Sequence, residues 1–163
     1  MIIMVAFIAC SGTKSAIKEI SGEGTVTQAR TNDITYIKMH RSACFGKCPD
    51  YIIELYKNGL VRYTGRGFVD MMGIYEKQYP QPTVQTVFDA FDEKRVDTTQ
   101  DVYDLTIADL PGIYYTIEYG SRTKKINNAH FGPVFLRDLA NLVDSTIKVD
   151  RSWTKISDNP KGD

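Results

Sequence analysis

Two alternating runs meet at Asn58-Gly59, and this hairpin signature restricts the fold more than any other feature of the chain. Tyr51, Ile53 and Leu55 fall on one side of an extended chain, and Ile52, Glu54 and Tyr56 on the other. That period of two marks a half-buried strand. Leu60-Val61-Arg62-Tyr63-Thr64 is the expected return strand. The Asn-Gly pair predicts a type I′ turn, whose two central positions both take positive φ.

The flanking sequence extends this unit. Ile34 to Met39 alternates as a further strand, ended by His40 and Arg41, and Gly73 opens another extended run, Ile74 to Tyr79. Pro80 and Pro82 mark a helix start, with Pro82 suited to the first helical position. Val84, Val87, Phe88 and Phe91 follow at i, i+3, i+4 and i+7, one buried stripe ending near Arg95. Asp97 to Leu110 reads as a long acidic loop, and Asp109-Leu110-Pro111-Gly112 is turn chemistry. Ile113, Tyr115, Ile117 and Tyr119 alternate, and Gly120-Ser121 turns that strand into Lys124 to Asn127. Gly132-Pro133 opens a second helix with the stripe Leu136, Leu139, Ala140, Val143 and Ile147, and Trp153 is expected to pack back on the core.

The order β-β-β-β-α-β-β-α implies an α+β fold, an antiparallel sheet of about five to six strands with two helices packed on one face. With 163 residues, 42% hydrophobic and 25% charged, one globular domain is expected, spanning 34–154, with a polar tail at 155–163. Twenty basic and twenty acidic residues cancel, which gives no electrostatic case for nucleic acid.

Met1 to Ala9 is continuously apolar and stops at Cys10. It is shorter than the roughly 20 residues a spanning helix needs, and it fits the apolar core of an export signal. Phe7-Ile8-Ala9-Cys10 resembles a bacterial lipobox, in which the cysteine receives lipid and becomes the mature N-terminus. Residues 1–9 therefore read as a lipoprotein-type signal segment, Cys10 as the lipidation site, and 10–33 as a flexible polar tether. The expected location is the bacterial cell envelope, anchored to a membrane through lipid. Of three cysteines, Cys10 is then spoken for, and Cys44 and Cys48 remain as a pair that an oxidising compartment would join.

The stretch Cys44-Phe45-Gly46-Lys47-Cys48-Pro49-Asp50-Tyr51, followed by Gly59, Tyr63, Gly65, Gly73 and the Asp109-Leu110-Pro111 turn, resembles the signature of a domain family of unknown function, domain of unknown function 6438. The resemblance runs from Ile34 to Trp153. It implies a fold and an envelope location, since members are often envelope lipoproteins, and it leaves the activity open.

Cys44 and Cys48 admit three chemical readings. A structural disulfide would pin a tight loop between two strands. Thiol redox chemistry usually has two residues between the cysteines and a helix after them; here there are three, and a strand pattern follows. Soft-metal capture would use Cys44 and Cys48 with His40 or His130, since thiolates suit Cu(I). C-x-x-x-C-P resembles the copper site of Sco-type envelope proteins, which are thioredoxin-like and place a helix there. No nucleophile elbow, H-E-x-x-H or phosphate loop accompanies the two histidines, so no catalytic residue is assigned. Asp97, Asp101, Asp104 and Asp109 lack the spacing of an EF-hand and read as a solvated loop. Lys124 and Lys125 read as guards of an exposed edge strand. Tyr56, Tyr63, Tyr75, Tyr79, Tyr114 and Tyr115 could line a binding face, although core packing and sheet propensity account for most of them. The functional expectation is a non-catalytic binding or assembly module without cofactor, bound to a membrane through its N-terminal lipid and meeting an envelope protein. The alternative is a thiol-redox or copper-handling protein centred on Cys44 and Cys48.

Overall fold

Residues 33–103 and 110–160 are described by the computed structural model. Its strands are β1 (Ile34–Arg41), β2 (Asp50–Tyr56), β3 (Leu60–Gly67), β4 (Gly73–Gln78), β5 (Ile113–Tyr119), β6 (Arg122–Ile126) and β7 (Thr154–Ser157). The helices are α1 (Gln81–Glu93) and α2 (Val134–Thr146). All strand pairs are antiparallel, and the sheet order is β6-β5-β1-β2-β3-β4-β7. The fold is α+β. Cys10 and the tether before Asp33 lie outside the described residues.

One sheet face carries the core. Ile126, Tyr115, Met39, Ile53 and Tyr63 are successive register partners across five strands, and all five are buried. The parallel row Ile117, Ile37, Leu55 and Val61 is fully buried as well. Both helices lie on this face. Val84, Val87, Phe88 and Phe91 of α1, and Leu136, Leu139, Ala140 and Val143 of α2, join the same cluster. Tyr115 touches both: Phe91 of α1 meets its ring edge-on at 5.3 Å, and its hydroxyl donates to the Leu136 carbonyl of α2 at 2.7 Å. Trp153 packs back as expected, against Tyr63 and Tyr79, with its indole N–H donating to the Lys148 carbonyl at 3.1 Å.

Three expectations need correction. The sheet has seven strands, and the order ends on a strand rather than a helix. The added strand, β7, takes Lys155 to Ser157 from the segment read as a polar tail. Thr154, Lys155 and Ile156 are all exposed, so β7 leaves no apolar alternation to read. Backbone pairing with β4, next to the anchored Trp153, is what holds it.

The second correction is the turn at Asn58-Gly59. Only Gly59 has positive φ, at 87°; Asn58 is not among the positive-φ residues. Strand β2 ends at Tyr56 and β3 starts at Leu60, and the Gly59 N–H donates to the Tyr56 carbonyl at 2.9 Å. This is the three-residue hairpin closed by a positive-φ glycine, not a type I′ pair. Gly59 is doubly required, because a Cβ there would lie 2.5 Å from the Tyr79 carbonyl oxygen.

The third is Lys124. It lies half-buried on the helix side, 13% exposed at its side chain, and ties the segment after α1 to β6. Its ammonium donates to the Thr99 carbonyl and to Asp101. Lys125 alone is the exposed lysine of that pair. Among the described residues no helix is long and apolar enough to cross a membrane.

The turn geometry separates two substitutions. Gly59→Ala should cost about 1–3 kcal/mol through backbone strain. Asn58→Ala loses only the bond from the Leu60 N–H to the Asn58 side chain, at 3.0 Å, and should cost about 1 kcal/mol or less. Urea unfolding measures both. Equal losses would restore the type I′ reading.

Candidate functional site

The loop between β1 and β2 is fastened at its base and closed by a disulfide. Ser42 fastens its start to β5: the Ser42 N–H donates to the Gly112 carbonyl at 3.0 Å, and the Gly112 N–H returns to the Ser42 hydroxyl at 2.9 Å. The Gly46 N–H then donates to the Cys44 carbonyl at 2.9 Å, with Gly46 at a φ of 147°. Cys44 and Cys48 are joined by a disulfide, their Cα atoms 5.5 Å apart. At the apex of the closed loop Phe45 is 89% exposed.

The β3–β4 connection lies beside it, because Asp50 pairs with Gly67. Between that pair and Tyr51–Gly65 the register shifts, leaving Arg66 as the extra residue of a bulge. Bulges re-aim side chains. The Arg66 guanidinium approaches Asp50 at 3.8 Å and His40 Nε2 at 3.3 Å. His40 Nε2 is also 2.9 Å from Asp50 Oδ1, and its ring lies 5.6 Å from that of Tyr114. The loop then folds back so tightly that any Cβ at Gly65 would collide with the Met71 carbonyl. Phe68 adopts a φ of 51°, uncommon for an aromatic residue, and is 60% exposed, and Met72 beyond it is 45% exposed. A cavity of 300 Å³ opens behind these side chains, between Pro49, Tyr63, Val69, Met71 and Val149.

Signature residue Tyr51 ties this end of the sheet to α2. Its hydroxyl donates to Asp144 Oδ1 at 2.7 Å, and Arg41 donates to Asp144 Oδ2 from Nε at 2.9 Å. Arg41 Nη2 lies 2.7 Å from the same Asp144 oxygen and also donates to the Asn141 side-chain oxygen at 2.9 Å. Burial, then the bond to Asp144, raises the Tyr51 pKa well above the usual phenol range, so Tyr51 acts as a donor. Burial, with Tyr75 and Asp70 nearby, pushes Tyr63 up to about 12.

The candidate residues fall apart in a defined way. His40 is engaged by Asp50 and Arg66 at the root of the two loops. His130 sits in the turn before α2, edge-on to Phe131 at 5.1 Å, and its pKa is lowered by burial and by Arg137 and Arg41. Among the described residues no three His, Cys, Asp or Glu side chains gather in a way that could hold a metal ion. Asp97 pairs with Arg95 and Arg122, and Asp101 with Lys124, so these carboxylates turn to cations rather than to each other. Asp104 and Asp109 lie outside the described residues. The tyrosines divide between the faces: Tyr63 and Tyr115 are core residues, whereas Tyr56 and Tyr114 belong to the helix-free face. Sequence reasoning missed Asp144, Asn141 and Arg66. Asp144 and Asn141 sit on a helix about a hundred positions from Arg41, and Arg66 is turned by a bulge that leaves no sequence pattern.

The Arg41–Asp144–Tyr51 cluster is half-exposed, with Arg41 at 24% and Asp144 at 31%, so solvent weakens its ion pair. Tyr51→Phe should cost about 1 kcal/mol. Asp144→Ala, which strands both partners, should cost about 1–3 kcal/mol. A double-mutant cycle on stability checks this, and strict additivity would deny the coupling.

The profile of the family described as domain of unknown function (DUF6438) matches residues 35–147, from the second residue of β1 through the end of α2. No curated protein matches the chain. The matched span contains both projecting loops, the disulfide and the Arg41–Asp144–Tyr51 cluster, and the chain belongs to the DUF6438 family.

Proposed function

We propose that the chain is a lipid-anchored protein of the bacterial cell envelope whose domain acts as a non-catalytic binding or assembly module, with the paired loops as its contact surface. The observation that carries this reading is the exposure of Phe45 at the apex of a disulfide-closed loop. So short a closure removes little unfolded-state entropy, on the order of 2 kcal/mol. Its effect is local, holding the Phe45 side chain in water on the loop next to the one that carries Phe68 and Met72. Isolated exposed apolar residues are ordinary; three on adjacent loops are what this reading takes as a contact patch. Phe, Tyr, Met and Arg, the residues at this end, are those enriched at protein interfaces. The apolar run ending at Cys10 supplies the argument for the anchor. A disulfide is the form that an exported cysteine pair takes.

The thiol-redox or copper alternative draws on a different property of the same loop. The residues between the cysteines, Phe45 to Lys47, are exposed, and the half-buried Cys44 and Cys48 lie in a loop open to solvent, where thiol–disulfide exchange takes place. One measurement tests the anchor and a second separates the two readings of the loop. Mass spectrometry and membrane fractionation of the expressed chain should find a lipid on Cys10, lost with membrane attachment in Cys10→Ser. Redox titration should place the Cys44–Cys48 couple below about −300 mV, as for structural disulfides. Unchanged mass and attachment in Cys10→Ser would remove the anchor. A potential well above that value, or Cu(I) binding abolished by His40→Ala, would move the function to the alternative.

A further inference from the structure

A row of side chains crosses the helix-free face of the sheet. Lys125, Thr116, Lys38, Glu54, Arg62 and Glu76 are successive register partners from β6 to β4. Half of this row is closed on itself. Arg62 Nε donates to Glu76 at 2.8 Å, and Glu54 accepts from the Tyr36 hydroxyl at 2.5 Å. The other half is open: among the described residues, Lys38, Thr116, Lys125 and the Tyr56 hydroxyl enter no side-chain hydrogen bond or ion pair.

These unspent groups line one open depression of about 560 Å³. Its walls include the rings of Tyr36 and Tyr56, 5.1 Å apart and tilted by 53°. Exposed Glu118 lies on its rim. The ligand chemistry follows from this set. The ammonium and hydroxyl groups donate, the hydroxyls and Glu118 accept, and the rings present apolar faces. A bare anion would leave the rings and Glu118 unused. An apolar ligand would cover the ammonium of half-buried Lys38 without pairing it, which is costly. A sugar ring answers both demands, with hydroxyls that donate and accept around its rim and C–H faces that pack on aromatic rings. We propose that this depression is a glycan-binding site that seats a hexose-class ring against Tyr36 and Tyr56, held by Lys38, Thr116 and Lys125.

The site lies on the face opposite the helices and does not depend on the anchor or on the disulfide loop. The test is a titration of the isotope-labelled full chain with two probes, a cello-oligosaccharide and an oligomer of N-acetylglucosamine. At least one should shift the amide resonances of Lys38, Tyr56 and Thr116 in a saturable manner. Lys38→Met and Tyr56→Ala should each weaken that binding about tenfold or more, with the far-ultraviolet circular dichroism unchanged. Tyr56→Phe, which keeps the ring, should retain more affinity than Tyr56→Ala and covers the case in which the alanine variant fails to fold. Absence of shifts with both oligosaccharides, shifts confined to another surface, or the same shifts from inorganic phosphate alone would overturn the proposal.

Discussion

Burial of a single face of the sheet is the constraint on which the rest of the structure depends. Tyr115 is its clearest instance: its ring meets Phe91 of α1 while its hydroxyl bonds the Leu136 carbonyl of α2. A phenol buried without a partner would carry a desolvation penalty, and the first turn of α2, where Leu136 lies, supplies the acceptor. Once both helices are committed to this face, the opposite one is left to polar and aromatic side chains. Tyr36, Lys38, Glu54 and Arg62 are therefore half-exposed on the same strands that bury Ile37, Met39, Leu55 and Val61.

The disulfide end follows from the same geometry. Strand β1 leaves the sheet at Arg41, whose guanidinium is turned to Asp144 on α2, while His40, one residue earlier, is turned to Asp50 and Arg66. Alternation along a strand thus sends two neighbouring residues to opposite faces. Each then fixes a different part of the projecting loops. Tyr51 continues the helix-side contact through Asp144, and Asp50 the other. The disulfide between them adds local shape at little cost in global order, and Phe45 is displayed as a result.

Much of this was legible in the chain. Alternation located β1, β2 and β5, glycine and turn signals located β3, β4 and β6, and the stripes Val84–Phe91 and Leu136–Val143 named the residues that α1 and α2 bury. Both patterns are local consequences of period and burial, so they survive without knowledge of the partner. The cysteine pair was legible for the same reason, since a separation of four keeps both residues in one loop. Strand β7 was not, because an exposed edge strand pairs mainly through its backbone and shows no apolar alternation. The turn at Gly59 was misjudged because Asn-Gly suits two hairpin geometries, and the approach of Tyr79 selects one of them.

The fold class, the alternation of β1, β2 and β5, the helix stripes and the cysteine spacing were already present in the chain, because each is carried by residues close together in it. Which polar groups are satisfied and which are left over depends instead on how the strands and helices assemble. Arg41 meets Asp144 across 103 positions, Lys124 turns inward to Asp101, and Arg62 takes Glu76, whereas Lys38 takes none of these carboxylates. Charge type can be read from a residue. Whether that charge has a partner depends on register and on which helix packs above it, and those are properties of the assembled sheet.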